Sequence, residues 1–364
     1  MHFKLLTLFS ALALMNLTPA LAGTLPEDSS AAVVYSYATI GTEDDDDALT
    51  MESFRAQMDE LTSGENTVRP LADVISDRDQ PDHSIALTFD QIDYNFVHTI
   101  APLLLEKKLP FTLFISPGQF DAGGKVSWDD LRYLAAKPGV TLGLTAYTYT
   151  HTGYLSAEKL AEDLNHAKAR FREEFKQEAV FFAYPYGEYS PAYKALIDQH
   201  GFKAAFGQQS GVIYAGADRL ALPRFTMTED VADLDRFRMT SQALPFPVSD
   251  LEPSSSLLTV NPPFPGFTVA QAITADDLKK MTCFASGIGQ LTLQRLGHNR
   301  VEIRFPRGFD DTRGRVNCTL PVPSADDPTE IRWRWLGFLY SIPEKLIDSS
   351  AEDARRDAVT PVKP

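Results

Sequence analysis

The 364-residue chain carries 34 Lys and Arg against 49 Asp and Glu, a formal net charge of −15 at pH 7, with 44% hydrophobic residues. That acidity excludes bulk electrostatic binding to nucleic acid or anionic lipid. At roughly 150 residues per domain the length has room for two cores.

Lys4 precedes an apolar run from Leu5 to Leu14, and Ala20-Leu21-Ala22 supplies the small residues read by a signal peptidase. Residues 1–22 therefore read as a signal peptide cut before Gly23, predicting a secreted, periplasmic protein. No later stretch of about 18 uninterrupted apolar residues predicts a membrane span. Ala32 to Tyr37 reads as a first strand. The acidic run Glu43 to Asp47 lacks the Gly and terminal Glu of an EF-hand loop, so it reads as a solvated loop ahead of a helix over Met51 to Leu61.

Strands and helices then alternate: Ile85–Phe89, Asn95–Lys107, Phe111–Ile115, Trp128–Ala136, Thr141–Leu144, Ala157–Phe175, Ala179–Tyr184 and Pro191–His200. Such alternation predicts parallel strands covered by helices. The apolar run Ile85-Ala86-Leu87-Thr88-Phe89 ends on Asp90, and an acid at the carboxyl end of a buried parallel strand stands where α/β folds place chemistry. The plainer reading of such an Asp is a helix cap or a turn.

After Ser249 the texture changes to Pro and Ser punctuation, then to β-rich runs: QLTLQRL, RVEIRF, RVNCTLP and IRWRWLGFLY. A small antiparallel β module over 249–347 is predicted, with a charged, disordered tail over 348–364. Cys283 and Cys318 lie within it, and an oxidising compartment favours a disulfide between them over two buried thiols. No Cys and His cluster indicates structural zinc.

Together, IALTFD followed by a helix and FTLFIS, then SWDDLRYLAAKPGVTLGL, FFAYPYGEYSP, GFKAAFGQQSGV and LPRF, resemble the NodB-homology polysaccharide deacetylase family. The resemblance implies an irregular, partly open (β/α) barrel over 23–248 and hydrolysis of an N-acetyl amide in a polysaccharide or peptidoglycan-like glycan. In that family a TFDD motif supplies the base and one metal ligand, two His spaced four apart complete the metal site, and an Arg-X-Pro-Tyr segment orients the base and stabilises the oxyanion.

Carried onto this chain, Asp90 takes the position of the catalytic base and Tyr186 that of the oxyanion donor. The ligand positions fall on Gln91, Thr145 and Tyr149, and the family's Arg on Ala183. A register shifted by two offers His151 as a metal ligand. With so few ligands the resemblance implies no bound cofactor, or zinc or another divalent metal held weakly. Asp93, Tyr149, Tyr184 and Pro185 are the expected substrate-binding residues, with Asp93 also a candidate acid/base partner of Asp90. Arg224 in LPRF stands as a structural ion pair or a cation near the site. Two functions remain open: a deacetylase-like protein of the cell envelope acting on an N-acetylated glycan, or a non-catalytic glycan-binding or scaffolding pseudoenzyme.

Overall fold

A computed structural model describes residues 25–41, 48–76, 80–152, 155–324, 327 and 329–347. The expected signal peptide, acidic run and C-terminal tail lie outside the described residues.

Seven strands build the larger sheet: β1 (Ala32–Tyr37), β2 (Ser84–Phe89), β3 (Phe111–Ile115), β4 (Val140–Leu144), β5 (Phe181–Ala183), β6 (Ala204–Phe206) and β7 (Phe225–Met227). They run in the order β6-β5-β4-β3-β2-β1-β7, and every neighbouring pair is parallel. The expected parallel barrel-like sheet is therefore present. All six residues of β1 and all six of β2 are buried, the signature of strands covered on both faces. The two-residue strand Thr67–Val68 pairs alongside β2.

The covering helices are set by their first residues. Thr50 and Ser156 accept the backbone N–H groups of Ser53 and Lys159, fixing the starts of Met51–Leu61 and Ala157–Phe175. The helix expected over Asn95–Lys107 opens with a wide π turn at Phe96–Ile100 before becoming α-helical at Ala101–Glu106. Pro102 cannot donate an N–H to the preceding turn, which suits this local change of winding.

The second core belongs to two smaller sheets. One orders Val248–Glu252, Gly266–Val269, Arg300–Arg304 and Thr292–Leu296; the other orders Gly289–Gln290, Thr282–Ala285, Arg313–Pro323, Ile331–Ser341 and Leu244–Pro245. All their pairings are antiparallel except that of Leu244–Pro245, which joins Ile331–Ser341 in parallel. Cys283 and Cys318 are direct cross-strand neighbours and form the expected disulfide within a cluster that includes Phe267, Val301, Ile303, Phe338 and Ile342.

The two cores interlock. Leu25, ahead of β1, packs into the β module, and Trp335 packs back into the barrel core with its ring 5.2 Å from that of Phe225. At Gly337 a Cβ would come within 2.3 Å of the Ser210 carbonyl, so the missing side chain is what lets the module approach the barrel.

Candidate functional site

Asp90 follows β2 directly, and Arg224 precedes β7 on the far side of β1. The guanidinium grips both carboxylate oxygens, Nη1 to Oδ1 at 2.6 Å and Nη2 to Oδ2 at 2.7 Å. Asp90 is 1% exposed and Arg224 is 0% exposed. Thr88 and the Gly207 carbonyl accept the remaining Arg224 contacts, while Ser36 and Gln208 approach Asp90 at 3.4 Å. A bidentate pair of this kind is strong and directional.

Above this floor opens a cleft of about 980 Å³. Its walls include Gln91 after β2, Tyr149 and His151 after β4, and Tyr186 and Glu188 after β5. The carboxyl ends of three parallel strands thus bring the motif residues together. Tyr186 sits at φ 53°, a left-handed conformation that a non-glycine residue adopts at a cost. The next residue, Gly187, has φ 73°, and a Cβ there would meet the Gln208 backbone nitrogen at 2.6 Å.

The residues at the family's ligand positions do not make a metal centre. Gln91 accepts a long contact of 3.4 Å from the Thr39 hydroxyl. Thr145 is fully buried, and its Oγ1 has no partner. Tyr149 is kept protonated, because burial, then the nearby Asp90 charge, push its phenol well above the ordinary range. An amide, an alcohol and a neutral phenol are poor donors for a divalent cation that prefers imidazole and carboxylate. Among the described residues no three His, Cys, Asp or Glu side chains group as ligands.

His151 has a different engagement. Its Nδ1 lies 2.7 Å from Glu188 Oε1, and its ring stacks on Tyr186 with centroids 4.1 Å apart and planes 14° from parallel. Glu188 is 3% exposed; it also accepts the Thr152 N–H at 2.9 Å and the Ser341 hydroxyl at 3.0 Å. This buried carboxylate fixes one imidazole nitrogen, the arrangement that orients a histidine at a reactive or binding surface. Tyr186 N–H, the expected oxyanion donor, points to the Tyr149 hydroxyl at 3.4 Å.

Three expected substrate-binding residues lie elsewhere. Tyr184 is 0% exposed and donates its hydroxyl to the Leu220 carbonyl at 2.9 Å, packed among Phe182, Tyr189 and Tyr193. It is a core residue, because the short β5 leads its side chain beneath the adjoining helix. Pro185 is buried beside it. Asp93 accepts the Phe96 N–H at 2.7 Å and so caps the following helix; it borders a second cavity of about 500 Å³ with Tyr94, which is 52% exposed. Gln91 borders both cavities.

Sequence reasoning missed Glu188, Gln208, Arg313 and Arg315. Arg313 Nη2 donates to the Tyr186 carbonyl at 2.9 Å and to Gln208 Oε1 at 2.7 Å, across 127 and 105 positions of sequence. Arg315 Nη1 donates to the Gln208 carbonyl at 2.9 Å. The β module thus supplies cations to a cleft that the barrel motifs outline. The alternation of RGRVNC was legible as a strand, but not the surface it would face.

Against known proteins, the sequence model described as Polysaccharide deacetylase matches residues 77–205. A poly-beta-1,6-N-acetyl-D-glucosamine N-deacetylase of Staphylococcus aureus (strain MRSA252) is 23% identical over 163 residues, 41% of this chain and 56% of the relative. The chain thus spans little more than half the length of that relative. Among solved structures, the Streptococcus pyogenes deacetylase PplD in complex with acetate aligns with a TM-score of 0.54 at 15% identity, covering 58% of this chain and 98% of the other. IcaB from Ammonifex degensii aligns at 0.53 and 22% identity, covering 58% and 97%. These structural likenesses bear on the fold alone. Together with the motif order along β2 to β6, the matched segment bears out the resemblance of residues 77–205 to polysaccharide deacetylases.

Proposed function

We infer that the cleft holds an N-acetylated glycan in the cell envelope and that metal-assisted amide hydrolysis has been lost or reduced to a trace. The observation that carries this is the set of groups at the ligand positions: Gln91, buried Thr145 and protonated Tyr149 offer an amide, an alcohol and a phenol where a divalent metal needs carboxylate and imidazole. Without a metal, water retains a pKa near 15.7 instead of about 7, and a single carboxylate base contributes roughly 10²–10⁴-fold. That contribution does not replace the missing activation. Binding has no such need, since the Tyr149 and Tyr186 rings and the polar walls offer the apolar face and directed hydrogen bonds that sugars require. The relatives named for N-acetylglucosamine polymers support an N-acetylated glycan as ligand.

One observation favours a second reading, slow metal-free hydrolysis. His151, oriented by buried Glu188, stands at the cleft surface as a ready proton acceptor. An acetate-release assay on N-acetylglucosamine oligomers, run beside calorimetric binding of the same oligomers, decides. Binding with acetate release near background is the expected result. Release at ordinary enzyme rates, abolished in His151→Ala, overturns the binder reading; release abolished only in Asp90→Asn restores the family mechanism.

A further inference from the structure

In the strand Arg313–Pro323, Gly314, Val316, Cys318, Leu320 and Val322 are buried in the β module. Side chains alternate along a strand, so Arg313 and Arg315 face the other way, onto the cleft. Both give hydrogen bonds to carbonyl or amide oxygens of Tyr186 and Gln208, none of which carries charge. Three other arginines that join distant parts of the chain meet a carboxylate, Arg224 with Asp90 at 2.6 Å, Arg334 with Asp28 at 2.7 Å and Arg332 with Asp82 at 3.1 Å, whereas Arg219 donates to the Ile75 carbonyl at 3.1 Å.

Among the described residues no carboxylate lies within ion-pair distance of Arg313 or Arg315. Glu188 acts on Arg313 at longer range, but its oxygens are held by His151, Thr152 and Ser341. Asp311 and Glu344 are exposed and share the lining with exposed Lys345. Desolvation lowers the pKa of both arginines, and with Arg313 beside it, and only Asp230 opposing at longer range, Arg315 comes down to about 10. Each still has guanidinium N–H groups without a protein acceptor among the described residues, for a guanidinium carries five. Two partly desolvated like charges kept side by side are unfavourable unless an anion joins them.

We propose that Arg313 and Arg315 form an anion subsite in this cleft, and that the glycan bound there carries an acidic group, a carboxylate or a phosphate, beside its N-acetylated sugar. The inference rests on the glycan reading above and narrows it from neutral to acidic chains. Guanidinium forks match the paired oxygens of either anion. The β module thereby acts as a selectivity wall for the barrel.

Titration calorimetry of the full chain tests this with four probes: a neutral N-acetylglucosamine tetramer, a tetramer alternating N-acetylglucosamine with glucuronate, N-acetylglucosamine 6-phosphate, and inorganic phosphate. At low salt the acidic tetramer is expected to bind at least about tenfold more tightly than the neutral one, with the gap narrowing as salt rises. Arg313→Gln with Arg315→Gln should close that gap and leave the neutral tetramer within about twofold, while Arg315→Lys, a folding and charge control, retains part of it. Preference for the 6-phosphate over the uronate assigns the anion as phosphate and also supports the subsite. Equal binding of neutral and acidic tetramers, or equal loss of both in the double variant, overturns the anion subsite and leaves the glycan reading standing. Binding of inorganic phosphate alone, lost in the double variant, overturns the glycan reading and keeps the subsite. Binding of no probe overturns both.

Discussion

Two arginine sites, linked through Gln208, lie one beneath the cleft and one in its wall, and they behave as opposites. Arg224 is buried, has two carboxylate oxygens within 2.7 Å, and closes the barrel floor. Arg313 and Arg315 have only neutral oxygens for partners among the described residues and leave part of each guanidinium to the cavity. What separates structural from receptive cations here is whether the fold has already supplied the counter-charge.

The largest expected effect is on that contrast itself. Arg224→Met leaves Asp90 buried without its partner and should cost about 3–5 kcal/mol, read as a lowered urea midpoint. The double variant Asp90→Leu with Arg224→Met should recover much of the loss, since replacing a whole buried pair by apolar groups is often neutral. Arg315→Gln, by comparison, should change stability by no more than about 0.5 kcal/mol in either direction. Equal costs for Arg224→Met and Arg315→Gln would erase the distinction between the two sites.

A second comparison sets the barrel against the β module. The disulfide spans 35 positions, and a closed loop of that length stabilises by roughly 3–4 kcal/mol in the chain-entropy account. Cys283→Ser with Cys318→Ser should therefore speed hydrogen exchange first in the strands Thr282–Ala285 and Arg313–Pro323, with β1 and β2 following only at the global limit. Simultaneous loss of protection would show that the shared Trp335 and Leu25 contacts make one cooperative unit. Between floor and wall, Glu188→Ala strips acceptors from His151, the Thr152 N–H and Ser341, and should cost about 1–3 kcal/mol together with weaker glycan binding. Unchanged glycan affinity in that variant would remove His151 from the binding surface.

The fold was legible because its signals are local. Apolar runs such as Ile85–Phe89 and Phe111–Ile115, and the capped helix Ala157–Phe175, are written in consecutive residues, and the structure follows them to within a residue or two. The site was legible only where it hangs on strand ends, as with Gln91, Tyr149, His151 and Tyr186. Tyr184 misled because an aromatic-Pro-Tyr segment does not reveal which of two neighbouring rings turns inward; the left-handed turn at Tyr186 decides that, and no local residue preference announces it. Glu188 looked like one more acid on a loop, and its burial follows from Ser341 and Thr152 closing over it. Arg313 meets Tyr186 across 127 positions, a contact made by the docking of two cores and not by any pattern within either.

The smallest effect is expected where an arginine has several carboxylates but remains in water. On the barrel's outer face Arg170 donates to Asp121 at 2.7 and 2.8 Å and to Glu174 at 2.9 Å. Asp121 also accepts from Trp128 and Tyr147 at 3.1 Å, and these bonds, the one from Arg170 foremost, hold its carboxyl at about 2, below the usual 3.8. Because the folded value is the lower one, this stabilisation is complete above about pH 4 and disappears as pH falls through 2. Arg170→Met should raise the Asp121 midpoint toward 3.8, seen by carboxyl carbon NMR, and flatten the loss of stability between pH 4 and 2. Solvent screening limits what that shift is worth, so at pH 7 the variant should lose less than about 1 kcal/mol. A loss as large as that of Arg224→Met would mean that the number of partners, and not their removal from water, governs the cost of deleting an arginine in this protein.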